Sequence, residues 1–132
     1  MIVAAVIVTR NRPESLAVAL AAVLRQTRRP DLTLVVDNSD GPEVNAAVRV
    51  RFQSERGVRF AMARRNLGGT GGFAAGIALG LTYGADCIWL LDDDAYAEAD
   101  ALAALLATYR RLSESVEVGF VCSHVLWTDG SP

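Results

Sequence analysis

The stretch IVAAVIV, residues 2–8, is an uninterrupted apolar run rich in β-branched side chains. Such a run is typical of a strand buried on both faces of a parallel sheet, because a solvated face would require alternating polar residues. It is too short to span a bilayer, and it lacks the basic segment and the cleavage site of a signal peptide. The loop-like TRNRPES (9–15) follows, with Pro13 well placed for the first turn of a helix.

Strand-like and helix-like segments alternate along the rest of the chain. Apolar runs predict further strands at 32–37, 57–63, 85–92 and 117–127. Helical spacing of apolar residues predicts helices at 13–26, 43–51, 73–83 and 98–112, and RRNLGGTGG (64–72) is predicted to be a loop. This alternation implies an α/β fold with a mostly parallel, Rossmann-like sheet and helices on both faces.

The composition is that of one globular domain. The chain has 132 residues, a length sufficient to bury a core, and 52% of them are hydrophobic and 21% charged. Its net charge of −2 offers no basic surface to nucleic acid and no polybasic patch to a membrane. We therefore expect a cytoplasmic protein with no nucleic-acid partner, which would reach the inner face of the cell membrane only through regions outside this sequence.

The cysteines point to no special chemistry. Cys87 and Cys122 both lie in apolar runs and are predicted to be reduced thiols in the core. His124 cannot complete a zinc site with them at any familiar spacing.

Polar residues follow three of the predicted strands at their carboxyl ends. In parallel α/β sheets, ligands bind outside these ends, so the three clusters are expected to form one site together with the glycine-rich segment. The clusters are Thr9-Arg10-Asn11, Asp37-Asn38-Ser39 and Asp92-Asp93-Asp94.

The acidic cluster lies within WLLDDDA, residues 89–95. One interpretation is a solvated strand end whose charges favour the N-terminus of the next helix. The other is a site for Mg²⁺ or Mn²⁺, which prefer carboxylate oxygens and often use only one or two of them when a diphosphate is bound. In an extended segment Asp92 and Asp94 would face the ligand pocket together while Asp93 points elsewhere.

The glycine-rich segment NLGGTGGFAAG, residues 66–76, could let the backbone approach a phosphate or sugar closely. The alternative is a tightly packed turn. Gly69, Gly71 and Ala74 also match the dinucleotide pattern G-x-G-x-x-G/A, but the match follows the third strand and not the first.

Two further groups could contact a nucleotide. Asp37 could accept a hydrogen bond from a base N–H or a ribose hydroxyl, or it could form an Asx turn with Ser39 or Gly41. Four arginines could neutralise a diphosphate or could simply be solvated. They are Arg10, Arg12, Arg64 and Arg65.

Four segments of the chain, in this order, resemble the nucleotide-binding half of family 2 glycosyltransferases. They are VIVTRNRPESLAVAL, VVDNSD, RRNLGGTGGFAAGI and WLLDDDA. The combination of NLGGxGGF with LDDDA is similar to the galactofuranosyltransferase and rhamnosyltransferase branch. The resemblance covers nearly the whole chain. It implies a GT-A fold that is expected to continue past the C-terminus, with residues 1–132 as the nucleotide-sugar (donor) binding part.

The resemblance also implies roles for individual residues. The residues expected at the base, ribose or diphosphate of the donor are Thr9, Arg10, Asn11, Asp37, Arg65 and Asn66. Gly68 and Gly69 would pass close to the donor, and Asp92 and Asp93 would lie by the sugar and ribose. In the DXD-type motif, Asp94 would be the main ligand of Mn²⁺ or Mg²⁺, with Asp92 as the second.

The activity implied is the metal-assisted, inverting transfer of a galactofuranose- or rhamnose-type sugar from a UDP- or dTDP-sugar to a glycan or cell-wall polysaccharide acceptor. The family's carboxylate base lies in a later acidic motif. After residue 113 the only acidic residues, Glu114, Glu117 and Asp129, match no such motif. The base is therefore expected beyond Pro132, and this chain is expected to bind donor and metal but to turn over poorly alone.

Three alternatives stay open. A non-catalytic nucleotide-sugar-binding module would also lack the base. A sugar-phosphate nucleotidylyltransferase resembles a different pattern, with a glycine-rich loop after the first strand, and TRNRPES contains no glycine. A dinucleotide-dependent oxidoreductase would depend on the displaced glycine match alone.

Overall fold

The structure is a computed structural model and describes residues 1–127 and 129–132. Within these residues, strands and helices alternate strictly. The elements are β1 (Val3–Thr9), α1 (Pro13–Leu24), β2 (Leu32–Asp37), α2 (Ala46–Phe52), β3 (Val58–Met62), α3 (Gly68–Thr82), β4 (Cys87–Asp92) and α4 (Ala101–Ser113). All pairings are parallel, in the order β3-β2-β1-β4, which confirms the predicted α/β fold with a parallel sheet.

Strand β1 is the centre of the molecule, because it pairs with β2 on one side and β4 on the other. All seven of its residues are buried. Alternate side chains serve opposite faces: Ile7 packs in the core with Leu16 and Leu20 of α1, whereas Val6 belongs to the core beneath α3. Two-sided burial is the reason that this strand shows no polar alternation in the sequence.

The predicted loop at 64–72 is wrong in its second half, since helix α3 begins at Gly68. Gly72, Gly76 and Gly80 repeat every four residues and are the buried residues of this helix. A Cβ atom at Gly72 would lie 2.6 Å from Val8 Cγ1, and one at Gly80 would lie 2.5 Å from Ile88 Cδ1. These glycines therefore permit close packing of a helix on the sheet, a tertiary effect that overrides their poor helix propensity.

The predicted strand at 117–127 is also wrong. The structure describes these residues without regular secondary structure, and Phe120 and Trp127 are 82% and 74% exposed. A strand needs a neighbour for its backbone hydrogen bonds, and this segment pairs with none of the described strands. Cys122 is consequently exposed and Cys87 half-buried, so the prediction of two core thiols fails, although both cysteines are free.

The remaining element boundaries lie within three residues of the predictions; the largest of these shifts are at the starts of α2 and α4. Among the described residues, no helix combines the length and apolar character that a membrane span requires.

The register brings the strand ends to one edge of the sheet. Thr9 pairs with Asp37, Val8 pairs with Asp92, and Asp37 pairs with Met62. The predicted convergence of the polar clusters after β1, β2 and β4 is therefore confirmed.

We predict that Gly76→Ala destabilises the fold, because its new Cβ would collide with the side chains of Val6 and Val36 in the core. Overpacking costs about 1–3 kcal/mol, and the gain in helix propensity returns about 1 kcal/mol, which leaves a net loss of up to ~2 kcal/mol. Gly69→Ala in the same helix is the control, since its Cβ would meet nothing within 4 Å. Equal urea midpoints for the two variants would contradict this packing role.

A second prediction concerns Asp31, whose Oδ2 accepts hydrogen bonds from the Val3 N–H at 2.9 Å and from Arg28 Nη2 at 2.8 Å. The Arg28 hydrogen bond, followed by the Val3 N–H, lowers the pKa of Asp31. A lowered pKa means that the unfolded state binds the proton more tightly, so this contribution is present at neutral pH and is lost as the pH falls below about 4. Asp31→Asn should lower stability in urea at pH 7, and its difference from the wild type should shrink towards pH 3. A constant difference would contradict the linkage.

Candidate functional site

The middle carboxylate of the acidic cluster is the buried one. Strand β1 ends at Thr9, whose hydroxyl donates to Asp93 Oδ2 at 2.7 Å, and the two residues are only 2% and 5% exposed. Strand β4 ends at Asp92, and residues 93 and 94 form a turn. The strand alternation therefore stops at Asp92, and the prediction that Asp93 points away from the pocket is wrong.

Arg12 contacts two of the three carboxylates. Its Nη1 lies 2.8 Å from Asp94 Oδ2 and 3.4 Å from Asp93 Oδ1. The charge of Asp93, together with the hydrogen bond to Asp94, raises the pKa of Arg12. Sequence reasoning named Arg12 only among four arginines, because the pairing joins residues about 80 positions apart and leaves no local pattern.

Asp92 has a different environment. It is exposed, and within the described part of the chain its carboxylate has neither a hydrogen-bond partner nor a salt-bridge partner. It is thus the carboxylate of the cluster most available to a ligand.

Asp37 lies beneath the surface, 1% exposed. Its Oδ1 accepts hydrogen bonds from the Ser39 N–H at 2.9 Å and from Asn45 Nδ2 at 3.0 Å. The first of these is the Asx turn named as the alternative role. Its Oδ2 is buried without a partner among the described residues, as is Asn45 Oδ1. An unpaired buried acceptor is costly, so this oxygen is suited to a donor that arrives with a ligand.

The loops that follow β1 and β2 are fastened to each other. Asn11, whose φ of +54° is left-handed, donates from Nδ2 to Asp40 Oδ2 at 2.6 Å and accepts the Asp40 N–H at 3.0 Å. Arg10 Nη2 donates to Asp40 Oδ1 at 3.1 Å. The hydrogen bond from Asn11, followed by that from Arg10, lowers the pKa of Asp40. Asparagine tolerates the left-handed region better than most residues, which explains its place in this turn.

Two further functional candidates are Asn38, predicted only as a member of a polar cluster and without a role, and Asn45, which no sequence-based prediction includes. Asn38 Nδ2 donates to the Gly68 carbonyl at 3.0 Å and so holds the start of α3 beside the end of β2. Asn45 is fully buried and donates to Asp37 Oδ1 and to Ser39 Oγ, the latter at 2.9 Å. Asn45 belongs to no motif, so only the structure could identify it.

These elements enclose an open cavity of ≈ 540 Å³ at the carboxyl ends of the strands. Its wall consists of Val8, Thr9, Arg10, Asn11, Arg12, Asn38, Asn66, Gly68, Gly69, Asp92 and Asp93. Most of the predicted site residues are thus brought together. Asp37, Arg65 and Asp94 are not part of the wall; Asp37 is buried, whereas Arg65 and Asp94 are exposed.

The donor set fits a divalent cation only in part. Across residues 1–127 and 129–132 no group of three or more His, Cys, Asp or Glu side chains is arranged to hold a metal. Asp92 and Asp94 could supply two carboxylates. Since Mg²⁺ commonly combines one or two carboxylates with substrate phosphates, the cluster suits a metal that arrives with a diphosphate.

We predict that Thr9→Val destabilises the protein, because the buried Asp93 Oδ2 would lose its donor. The expected loss is about 1–3 kcal/mol. Thr82→Val is the matched control, since the Thr82 hydroxyl donates to the Ala78 carbonyl at an exposed position; its effect should stay within about 0.5 kcal/mol. Equal unfolding midpoints in urea would show that the Thr9 hydroxyl does not stabilise the acidic turn.

Comparison with known proteins assigns the chain to a family. The profile of the family described as Glycosyl transferase family 2 matches residues 4–125. Galactofuranosyltransferase GlfT1 of Mycolicibacterium smegmatis is 42% identical over 123 residues, and GlfT1 of Mycobacterium tuberculosis H37Rv is 42% identical over 120. The alignments cover 92% and 90% of this chain but 40% and 39% of the relatives, so the chain spans about two fifths of their length.

Solved structures agree on the fold. S. aureus TarS 1–349 in complex with UDP matches with a TM-score of 0.68 at 16% identity, and the complex with UDP-GlcNAc with 0.65 at 17%. Each match covers 84% of this chain and 32% of TarS 1–349. At such identities the likeness concerns the fold alone, and it confirms the predicted GT-A architecture. Because the family profile spans most of the sequence, this chain belongs to glycosyl transferase family 2.

Proposed function

We propose that residues 1–132 form the donor-binding part of a glycosyltransferase that uses a UDP- or dTDP-sugar. The observation that carries this proposal is the cavity at the carboxyl ends of β1, β2 and β4, where arginine and amide side chains adjoin an acidic cluster. This edge is where parallel α/β folds bind nucleotides. The names of the two GlfT1 relatives favour a galactofuranose-type donor over a rhamnose-type donor. The acceptor would be a glycan or a cell-wall polysaccharide.

The nucleotide would lie along the loops after β1 and β3. The cavity is lined by Thr9, Arg10 and Asn11 at the end of β1, and by Asn66, Gly68 and Gly69, which follow β3. A Cβ atom at Gly68 or Gly69 would meet nothing within 4 Å, so the backbone there is open to a ligand. Arg65, which is exposed beside Asn66, would reach the diphosphate from outside the wall.

Asp37 would bind the base of the nucleotide. Its orphaned Oδ2 is the acceptor that an imide N–H of uracil or thymine would satisfy. Because this oxygen is buried, base binding would require the residues that cover it to move. The fastening of Asp40 to Asn11 would then link base binding to the β1 loop.

Mn²⁺ or Mg²⁺ would be held by Asp94 and Asp92 together with the donor diphosphate. When bound, the metal would supply Lewis-acid stabilisation of the departing nucleoside diphosphate. Asp93, fixed by Thr9, would stay in place beside the sugar and ribose.

The reaction would be an inverting displacement in which a carboxylate base deprotonates the acceptor hydroxyl. The carboxylates on the cavity wall, Asp92 and Asp93, have donor-side roles in this scheme, and Glu114 and Glu117 are exposed and outside the wall. We therefore infer that the base and the acceptor site belong to other parts of the whole enzyme. Any contact with the membrane would likewise involve those parts.

A second candidate is a non-catalytic nucleotide-sugar-binding module, favoured by the absence of a base on the described cavity wall. Family membership argues against the nucleotidylyltransferase and oxidoreductase alternatives.

We predict that UDP or dTDP raises the melting temperature of this chain only when Mn²⁺ is present, and that NAD does not. A ligand at about 100 times its Kd adds about 2.7 kcal/mol of stability, which a thermal shift measurement resolves. Asp94→Asn should weaken the Mn²⁺-dependent shift. Asp86→Asn, next to the opposite end of β4, is the control and should keep it. A response to NAD without metal, combined with none to UDP or dTDP, would overturn the proposal.

A further inference from the structure

The acidic cluster already has a cation in contact with it. Arg12 Nη1 approaches Asp94 at 2.8 Å and Asp93 at 3.4 Å, and it is the only cationic group that pairs with the cluster among the described residues. Arg10, two positions earlier on the same loop, pairs with Asp40 instead. The two arginines on the cavity wall therefore have separate partners.

The two carboxylates that Arg12 contacts are held differently. Asp93 is buried and is also held by the Thr9 hydroxyl. Asp94 has a 58% exposed side chain, and Arg12 is its one side-chain partner in the described part of the chain. If Arg12 moved away, Asp93 would stay in place and Asp94 would become free to bind another cation.

Arg12 itself can move at little structural cost. Its side chain is 56% exposed, and although it occupies the N-cap position of α1 it makes no side-chain capping bond. The helix starts with Pro13, which needs no N–H partner. An exposed ion pair of this kind is weak and can exchange partners.

We propose that Arg12 forms an ion pair with Asp94 in the nucleotide-free protein, where it takes the position of a divalent cation. When a nucleoside diphosphate enters the cavity, Arg12 releases Asp94. This rests on the proposed donor site. The diphosphate offers the guanidinium a stronger, bidentate partner, and the vacated Asp94 oxygen becomes available to a divalent cation. Arg12 is thus a positioning residue that makes metal and nucleotide bind together.

The consequence is a measurable coupling between the two ligands. A cation that competes with Arg12 for Asp94 binds poorly on its own and better after the nucleotide has drawn Arg12 away. Coupling between binding sites is reciprocal, so Mn²⁺ must strengthen nucleotide binding by the same factor.

The test is Mn²⁺ titration followed by the electron paramagnetic resonance signal of free Mn²⁺, with no turnover involved. Without nucleotide, Arg12→Gln should bind Mn²⁺ about two- to fivefold more tightly than the wild type, the range that an exposed ion pair allows. Arg10→Gln is the matched control: it removes the same charge from the same cavity but breaks only the contact with Asp40. At about 0.15 M salt its longer-range effect is screened and should be clearly smaller.

With saturating UDP, the difference between Arg12→Gln and the wild type should disappear, because Arg12 has already left Asp94. Three results would overturn the inference. The first is that Arg12→Gln binds Mn²⁺ no more tightly than Arg10→Gln, and the second is that the tighter Mn²⁺ binding of Arg12→Gln persists undiminished with UDP. The third is that no variant binds Mn²⁺ while UDP still binds. Failure of the wild type to bind UDP would instead refute the proposed donor site. The nucleotide-free comparison would still report whether Arg12 and a metal compete.

Discussion

The burial of β1 on both faces is the constraint on which the rest of the structure depends. A strand with no solvated face needs a helix on each side and a strand along each edge. Helix α1 covers one face through larger side chains, whereas α3 approaches the other so closely that glycines lie at its contacts. This central position also decides where chemistry is possible, because the loop after β1 lies between the loops after β2 and β4.

The strand order explains how one short loop serves both of its neighbours. Asn11 and Arg10 bind Asp40 after β2, while Arg12 reaches Asp93 and Asp94 after β4. In a sheet where β1 lay at an edge, the same loop could contact only one neighbouring strand end. The cavity wall is therefore a product of topology as much as of motif, and it is held by hydrogen bonds between segments far apart in the sequence.

The sequence allowed the strand ends, the parallel sheet and most of the cavity wall to be predicted, because each follows from local patterns or from a family motif. Residues 68–72 are predicted to be part of a loop, because local propensity cannot reveal that Gly72 faces a closely packed sheet. The strand expected at 117–127 had suitable residues but has no partner among the described strands. The role of Asn45 and the pairing of Arg12 with the acidic cluster could not be predicted, since a buried amide or an ion pair between distant residues leaves no periodic pattern in the sequence.

Asp37 shows how motif and structure together sharpen a role. The motif alone predicts a carboxylate that could accept a hydrogen bond from a base. The structure shows that this carboxylate is buried, that only its Oδ1 is hydrogen-bonded, and that Oδ1 of the neighbouring Asn45 also lacks a partner among the described residues. A protein retains such a cost only where something offsets it. Under the proposed function, a donor group on the ligand would supply the offset. The segment from Asn38 to Asp40, which follows Asp37, is hydrogen-bonded to Asn11 of the β1 loop through Asp40. The residue proposed to bind the base is therefore joined, through Asp40, to the loop that carries Arg10 and Arg12.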